Sequence, residues 1–419
     1  MYRQTTLDNG VRIVTEEADS RVASVGIWVE VGARDEHDLN NGCAHFIEHM
    51  LFKGTARRDA QQIARELDVM GGMANAFTST ESTCLYATVL ADQLPRLADL
   101  FSDMVLASRF DPDEVEHERE VILQEIAMVE DTPDDQIHDL FNRQLWGRHP
   151  LGNTVLGSRE VVSALTARHL NDYVRKHYAP ERMLIAGAGR IEHDRFRELW
   201  HEAFKALPGG GKPGPGPRRI PEPQSPSRKI FPKPLEQAHL VLGTYGLPET
   251  SPQRHALHVL NVILGGNMSS RLFQEIREKR GLAYSVFSFL NCNSDSGSLA
   301  IYLGVDPASA DEALELVADE IERLRHERVA NPVLTEARDY AKAVVLLAEE
   351  NMEARMTRLA RNEINFNRHV PVEELTTALG KVSAAQVREV AETIFAQPLT
   401  GVALGPLGPE ALNWKTLDR

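Results

Sequence analysis

The sequence predicts an α+β fold of two homologous domains, each a sheet with helices packed on it, joined by a Pro/Gly-rich linker like a clamshell. Three observations predict it. Proline and glycine crowd one segment near the middle of the chain, and the halves on either side carry a weak internal repeat. Strand-like and helical segments also alternate without a regular βαβ beat, which favours α+β layers over a doubly wound parallel sheet.

The linker is the clearest boundary in the chain. Residues 208–217 read PGGGKPGPGP, and three further prolines follow at positions 221, 223 and 226. Proline and glycine at that density form neither helix nor sheet interior, so the segment is predicted to be an exposed, semi-rigid connector. We therefore predict an N-terminal domain at 1–208, a linker at 209–227 and a C-terminal domain at 228–419.

The first copy of the repeat contains a helix that is predicted by spacing alone. Ile63, Leu67 and Met70 fall on one helical face, Asp59 can cap the start, and Gly71 can end the helix. The predicted elements of this copy are strands at 11–15 and 22–31, an apolar helical run ending at Gly54, a helix at 63–70, and strands at 74–78 and 84–90.

The second copy follows the same order after the linker. A later helix is predicted from the apolar stripe of Leu314, Val317, Ile321 and Leu324. The preceding elements are strands at 229–231 and 239–243, an apolar run at 257–264 ending in Gly265 and Gly266, a helix at 272–280 and a strand at 283–289.

Composition limits the class of protein. The 419 residues are 42% hydrophobic, which allows a sizeable core, and no apolar run approaches the roughly 20 residues that span a bilayer. A formal net charge of −15 argues against a nucleic-acid surface. The N-terminus shows no secretory signal, and three scattered cysteines favour a reducing compartment. We therefore expect a cytoplasmic protein that binds neither nucleic acid nor membrane.

The central chemical signal is the pentapeptide His45-Phe46-Ile47-Glu48-His49. On a helix, residues four apart share a face, so both imidazoles can bind one ion. Glu48 lies three residues after His45 on that side and can accept a proton from water at the metal. This order is the reverse of the commoner His-Glu-x-x-His, with the same roles available. Two alternatives remain from the pattern alone, a chance match and a hydrogen-bonded histidine pair in the core.

A catalytic zinc site needs a third protein ligand, with one position left for water. The best candidates are Glu118 and Glu125, two turns apart on one face of a helix that Val121, Leu123 and Ile126 can anchor. One of the two glutamates could bind metal while the other holds a ligand or a water. The spacing does not decide between them, and a solvated helix face is the alternative for the whole stretch.

Longer stretches of the chain resemble a known family. The run HFIEHMLFKGT at 45–55 is similar to the signature of the pitrilysin/insulysin family of inverted-motif zinc peptidases. The resemblance is greatest to the branch containing mitochondrial processing peptidase and its bacterial relatives. It extends over essentially the whole chain. Further matching segments are LDNG at 7–10, GG at 71–72, NAFT at 75–78, EREVILQEI at 118–126, HPLG at 149–152, LGGNMSSRL at 264–272 and REKRGLAY at 277–284.

The resemblance implies roles for individual residues. It implies one Zn²⁺ per chain bound by His45, His49 and Glu125, with Glu118 as an accessory carboxylate and Glu48 as the catalytic base. From the second half, Arg277 and Tyr284 are implied to contact the substrate at the metal. The edge strand at Asn75 and Ala76 is implied to pair with the substrate backbone, and Phe52 to line the pocket beside the scissile bond.

The resemblance also implies a function, a zinc metalloendopeptidase acting on short or unfolded peptides. A non-catalytic scaffold of the same fold is the alternative, although such subunits usually lose residues of the motif that this chain keeps. An enzyme that needs a partner chain is a third possibility. Because the zinc motif, Arg277, Tyr284 and the two-glycine loop share one chain, we favour a self-sufficient homodimer. Aligning Gly54 with Gly266 places Leu257, Leu260 and Asn261 opposite the motif, so we expect one active site per chain.

Overall fold

The computed structural model describes residues 1–209, 214, 218 and 220–418. Much of the predicted linker, at 210–213, 215–217 and 219, lies outside the described residues. Within the described part of the chain there are eleven strands and fourteen α-helices. The strands are β1 (Tyr2–Thr6), β2 (Arg12–Glu17), β3 (Val22–Val29), β4 (Met73–Thr78), β5 (Thr83–Leu90), β6 (Met183–Gly189), β7 (Arg228–Pro232), β8 (Ala238–Tyr245), β9 (Ala283–Cys292), β10 (Gly297–Val305) and β11 (Thr400–Gly405).

The helices fill the intervals between the strands, and a π-helical segment at Phe273–Glu278 precedes β9. None of the described helices is both long and apolar enough to cross a bilayer. The α-helices are α1 (Cys43–Met50), α2 (Ala60–Val69), α3 (Leu94–Ala107), α4 (Pro112–Asp131), α5 (Pro133–Trp146), α6 (Arg159–Ala164), α7 (Ala167–His177), α8 (His193–Phe204), α9 (Arg254–Leu264), α10 (Ala310–His326), α11 (Asn331–Ala348), α12 (Met352–Phe366), α13 (Val372–Lys381) and α14 (Ala384–Phe395).

The strands form two sheets with the same topology. The first has the order β1-β2-β6-β3-β5-β4 and the second the order β7-β11-β8-β10-β9. In the first, the β2–β6 pair is parallel and the remaining pairs are antiparallel. In the second, β7–β11 is parallel and the other pairs are antiparallel. Apart from the extra edge strand β1, the two sheets match pair for pair. The α+β class and the duplicated architecture predicted from sequence are confirmed.

Several elements form where the local signals place them. Helix α2 begins after Asp59, whose carboxylate accepts the amide of Gln62 at 2.7 Å in a capping box, and Gly71 follows its end with φ +62°. The predicted stripe of α10 is buried throughout. The segment predicted as a helix at 272–280 is instead the shorter π-helical stretch, which ends just before Gly281 at φ +65°.

The chain divides into two compact units that are not continuous in sequence. Unit 1 comprises Met1–Met128, Asn153–Arg219 and Ala348–Val370. Unit 2 comprises Val129–Gly152, Ile220–Leu347 and Pro371–Arg419. The predicted domains at 1–208 and 228–419 therefore differ from the observed units by two exchanged segments, one carrying α5 and the other α12.

Apolar packing explains both exchanges. In unit 1, α12 buries Met356, Leu359 and Ala360 against one face of the six-stranded sheet, beside Trp28 and Leu184. Two arginines of α12, Arg355 and Arg358, also pair with the buried carboxylate of Glu16 on β2. The other face of this sheet carries the main core of unit 1, formed with α1, α3, α4, α7 and α8.

Unit 2 repeats the arrangement with α5. Phe141 and Leu145 of α5 pack on the five-stranded sheet against Val241 of β8, Ala300 of β10 and Val402 of β11. The opposite face of the sheet carries the larger core, to which α9, α10 and α14 contribute. Each sheet is thus covered on its second face by a helix from the other half of the chain.

Candidate metal centre

The helix α1 holds both histidines of the inverted motif. Its apolar residues Phe46, Ile47 and Met50 are at most 1% exposed, so the helix is fixed in the core of unit 1. His45 and His49 lie one turn apart on its remaining face, with ring centroids 4.7 Å apart and planes inclined at 67°. The spacing of four residues therefore brings the two imidazoles side by side, as the sequence predicts.

Glu125 of α4 completes a group of three ligands. Its Oε2 atom lies 3.7 Å from Nε2 of His45 and 3.6 Å from Nε2 of His49. A tetrahedral ion with bonds of about 2.0–2.1 Å separates its ligand atoms by roughly 3.4 Å. Two imidazole nitrogens and one carboxylate are also a donor set of catalytic zinc sites, which leaves a fourth position open. The residues present therefore fit a zinc ion.

Glu118 lies behind His49, on the side away from Glu125. Its Oε2 is 3.0 Å from Nδ1 of His49, and its Oε1 is 2.5 Å from Nζ of Lys53. Burial acts to raise the pKa of Glu118, but the hydrogen bonds with His49 and Lys53 hold that pKa below its ordinary value. A carboxylate in this position fixes the orientation of the imidazole and directs its Nε2 towards a metal.

The two histidines have opposite electrostatic environments. Burial, assisted by the neighbouring His49, lowers the pKa of His45 to about 4. Burial also acts to lower the pKa of His49, but the hydrogen bond to Glu118 and the charges of Glu125, Glu118 and Glu48 raise it overall. Metal ligation requires both rings to be unprotonated. The lowered pKa keeps the His45 ring unprotonated at neutral pH, as metal binding requires. The His49 ring is oriented by its hydrogen bond with Glu118.

The rotation of α4 determines which glutamate reaches the ligand atoms. Its buried face is formed by Val115, Arg119, Ile122 and Ile126. Arg119 fixes the helix further, since its Nη2 donates to the backbone carbonyl of Leu165 at 2.6 Å. The predicted anchors were wrong in part, because Val121 is 41% exposed and Leu123 only partly buried, and Ile122 takes the central position.

Glu48 stands on the same helix as the histidines and is oriented by β4. Its Oε2 accepts a hydrogen bond of 2.7 Å from Oγ1 of Thr78. Burial raises the pKa of Glu48, and the charge of Glu125 acts in the same direction, while the Thr78 hydrogen bond and His49 oppose them. A carboxylate with a raised pKa beside a metal site suits proton transfer near neutral pH.

The predicted substrate-binding residues of the first half lie beside this helix. Asn75 and Ala76 belong to β4, the outermost strand of the six-stranded sheet. The Oδ1 atom of Asn75 accepts the amide of Ala76 at 2.9 Å, so that amide is turned away from the neighbouring strand. Phe52 follows α1 and is partly buried against the core of unit 1. The role of Asn75, Ala76 and Phe52 in substrate binding stays a prediction.

Arg277 and Tyr284 belong to unit 2 and contact each other. The Arg277 guanidinium carbon lies 5.1 Å from the centroid of the Tyr284 ring and 4.7 Å from that of Phe273. Tyr284 is nevertheless 79% exposed, an unusual exposure for a tyrosine in a strand. Cation–π contacts join Arg277 to both rings, while the Tyr284 side chain stays accessible.

The sequence predicts no role for three residues that support the candidate metal centre. Thr78 and Lys53 lie inside the segments that resemble the family, but nothing in their spacing reveals the hydrogen bonds to Glu48 and Glu118. Glu36 accepts two backbone amides at the start of α1, from Gly42 and Ala44. It lies seven residues before Cys43, the first residue of that helix, so no capping pattern in the sequence could have revealed it.

Family models and curated relatives match this chain over most of its length. The model of the insulinase family, peptidase family M16, matches residues 12–159, and the model named peptidase M16 inactive domain matches residues 164–339. A protein named as a zinc protease from Mycobacterium tuberculosis is 40% identical over 97% of this chain and 93% of its own length. A protein of the same name from Bacillus subtilis is 35% identical over 97% of this chain and 99% of its own length.

Solved structures show the same fold. The crystal structure of a protease from Helicobacter pylori superposes with a TM-score of 0.91 at 22% identity and covers 97% of this chain and 99% of that chain. A structure described as peptidase M16 inactive domain from Pseudomonas fluorescens superposes with a TM-score of 0.88 at 21% identity and the same coverage of both chains.

Proposed function

Because the chain belongs to the insulinase family of M16 peptidases, as its resemblance to the pitrilysin/insulysin signature predicted, we propose that it is a zinc-dependent endopeptidase. Its substrates are short or unfolded peptides. The observation that carries the proposal is the convergence of His45, His49 and Glu125 to within 4.8 Å of one another beside the carboxylate of Glu48. Within the described residues no other group of three such side chains could hold an ion.

The chemistry divides between the metal and the protein. A zinc ion held by the two Nε2 atoms and the Glu125 carboxylate would supply Lewis acidity to the scissile carbonyl and to water. Glu48 accepts one proton from the attacking water while the water oxygen forms a bond to the carbonyl carbon. Glu48 then returns that proton to the amide nitrogen as the carbon–nitrogen bond breaks, so the carboxylate is regenerated in each cycle.

The contact with Thr78 prepares Glu48 for this task. A hydroxyl donating to one carboxylate oxygen leaves the other oxygen available for the water, and it limits rotation of the side chain. The apolar surroundings that raise the pKa of Glu48 also favour uptake of the proton.

Peptide binding follows from the position of β4 at the sheet edge. An extended peptide that adds to this strand is held by main-chain hydrogen bonds at Asn75 and Ala76, with Phe52 lining the pocket beside the scissile bond. Main-chain recognition tolerates many side chains but requires an extended, unfolded segment. This is the reason for assigning short or unfolded peptides as the substrate class.

Arg277 and Tyr284 are proposed to donate hydrogen bonds to the oxygen that becomes negatively charged during attack. The exposure of Tyr284 and its cation–π contact with Arg277 support this role. With both residues and the zinc motif on one chain, a homodimer that needs no other subunit is proposed, in the cytoplasm. Size-exclusion chromatography of the pure protein, with a quenched peptide assayed across the peak, tests the self-sufficient assembly.

The variant Glu48→Gln tests the peptidase itself. We expect it to bind zinc as the unchanged protein does and to lose peptide hydrolysis by about 1000-fold, because proton transfer is removed while the ligands remain. Zinc content by mass spectrometry and turnover of a quenched peptide library measure the two effects. Substantial remaining hydrolysis would remove Glu48 as the base, and an unchanged protein that binds zinc but cleaves nothing would favour the scaffold alternative.

A further inference from the structure

A buried glutamate lies at the start of the helix that carries the histidines. Glu36 is only 3% exposed. Its Oε2 accepts the amide of Gly42 at 2.8 Å and the side-chain amide of Asn41 at 2.9 Å, while its Oε1 accepts the amide of Ala44 at 2.7 Å. Both carboxylate oxygens therefore accept hydrogen bonds from the first turn of α1 and from the two residues before it.

Helix α1 has no capping side chain of its own. Its N-cap is Gly42, with φ +96°, and a Cβ there would lie 2.7 Å from the carbonyl oxygen of Leu156. A residue with a capping side chain therefore cannot occupy this position. Because the first amides of a helix have no partner within it, a buried start needs an acceptor from elsewhere. Glu36 supplies that acceptor, and its carboxyl group lies at the positive end of the helix dipole.

Burial and hydrogen bonding act on the pKa of Glu36 in opposite directions. Burial raises the pKa of Glu36 to about 7, against the hydrogen bonds from Ala44, Gly42 and Asn41, which act to lower it. Asp35, Tyr173 and Cys43 are the other titratable groups whose charges interact with it. The amides of Gly42 and Ala44 and the side chain of Asn41 are its principal hydrogen-bond partners.

We propose that Glu36 is a positioning residue of the metal centre, which fixes the axial position and rotation of α1 and thereby the separation of the two histidine ligands. The inference rests on the proposed zinc site. Helix α1 has only eight residues, so a shift of its first turn is carried directly to His45, which follows Ala44. Ligand atoms tolerate displacements of only a few tenths of an ångström from a tetrahedral arrangement.

A general capping role is the competing explanation, and the chain offers a matched control. Glu192 accepts the amides of Asp194 at 2.9 Å and Arg195 at 3.0 Å at the start of α8, which carries none of the proposed ligands. Glu36→Gln and Glu192→Gln both replace a capping carboxylate by a neutral amide of similar volume. Only the first is expected to change the metal centre.

The experiment measures zinc affinity by competition with a chromogenic chelator, and the melting temperature with and without zinc. Glu36→Gln is expected to weaken zinc binding about tenfold, comparable to losing a partner of a metal ligand, and to reduce the rise in melting temperature that zinc produces. Glu192→Gln is expected to lower the metal-free melting temperature while leaving zinc affinity unchanged. Unchanged affinity in Glu36→Gln, or an equal loss in Glu192→Gln, would overturn the inference.

A milder variant covers the case in which Glu36→Gln does not fold. Asn41→Ala removes one donor to Glu36 and a second hydrogen bond of 3.0 Å to the carbonyl of Thr154, but keeps both backbone hydrogen bonds to the carboxylate. We expect it to weaken zinc binding two- to threefold, and unchanged affinity would count against the inference. If the unchanged protein itself bound no zinc, the proposed function would fail, which is a different outcome.

Discussion

The two units build the same sheet and put different chemistry beside it. In each, a parallel pair at one side leads through antiparallel pairs to an edge strand, β4 in unit 1 and β9 in unit 2. Helix α1 presents His45, Glu48 and His49, whereas the aligned positions of α9 are Leu257 and Leu260, both at most 1% exposed, and Asn261.

The comparison teaches that positions carrying chemistry in α1 serve core packing in α9, where the aligned Leu257 and Leu260 belong to the core of unit 2. Both units keep a buried apolar residue at the aligned positions Ile47 of α1 and Val259 of α9, each 0% exposed. The positions that carry ligands in α1 can therefore be filled by apolar or amide side chains without loss of the fold. The fold therefore does not require histidine at these positions. The edge strands of the two units also differ.

The largest effect is expected from a substitution that gives α1 a residue of α9. His49→Asn introduces the residue that α9 carries at the aligned position and should weaken zinc binding by on the order of 1000-fold, because one of three protein ligands is lost. Chelator competition measures the loss, and the metal-free melting temperature checks that the helix still packs. The reverse change, Asn261→His, should create no zinc site; a gain of bound zinc would break the comparison.

A second test asks whether unit 2 contributes to chemistry. Tyr284→Phe should lower kcat by about 100-fold, as expected for the loss of one donor to a developing oxyanion, with zinc content unchanged. Steady-state kinetics on a quenched peptide separate kcat from KM. If kcat is unaffected, unit 2 serves only as a scaffold, and the role proposed for Tyr284 is wrong.

A third test concerns the carboxylate behind His49. Glu118→Gln should weaken zinc binding roughly tenfold, since the amide can still hydrogen-bond the imidazole but no longer carries the charge that orients it. The same substitution frees Lys53 from its ion pair. Lys53→Met is the control for that second change and should alter zinc affinity by less; an equal effect would show that the lysine, not the glutamate, matters.

The smallest expected effect compares the two edge strands. In β9 the amide of Ser288 already donates to the carbonyl of Gly265 at 3.1 Å, whereas the amide of Ala76 in β4 donates to the side-chain oxygen of its neighbour Asn75 at 2.9 Å. Addition of a peptide to β4 predicts that N-methylation of single substrate amides raises KM about two- to tenfold per lost hydrogen bond. A uniform KM across the methylated series would exclude strand addition.

Much of the fold is readable from sequence because its signals are local. Asp59 and Gly71 bound α2, and the four-residue spacing of His45 and His49 puts both rings on one helical face. The exchange of α5 and α12 is not readable, because an amphipathic pattern shows that a face is buried and not which sheet covers it. The choice between Glu118 and Glu125 depends on the rotation of α4, which follows from the packing of Arg119 and Ile122.

The crossing of α5 and α12 has a consequence for how the chain can be divided. A cut in the linker would leave the first fragment without α12 and the second without α5, so each sheet would expose an apolar face, around Trp28 in one and around Val241 in the other. Each fragment would therefore lack one helix of its own compact unit. Co-expressed, the two would each supply the helix missing from the other, as split proteins do when they reconstitute.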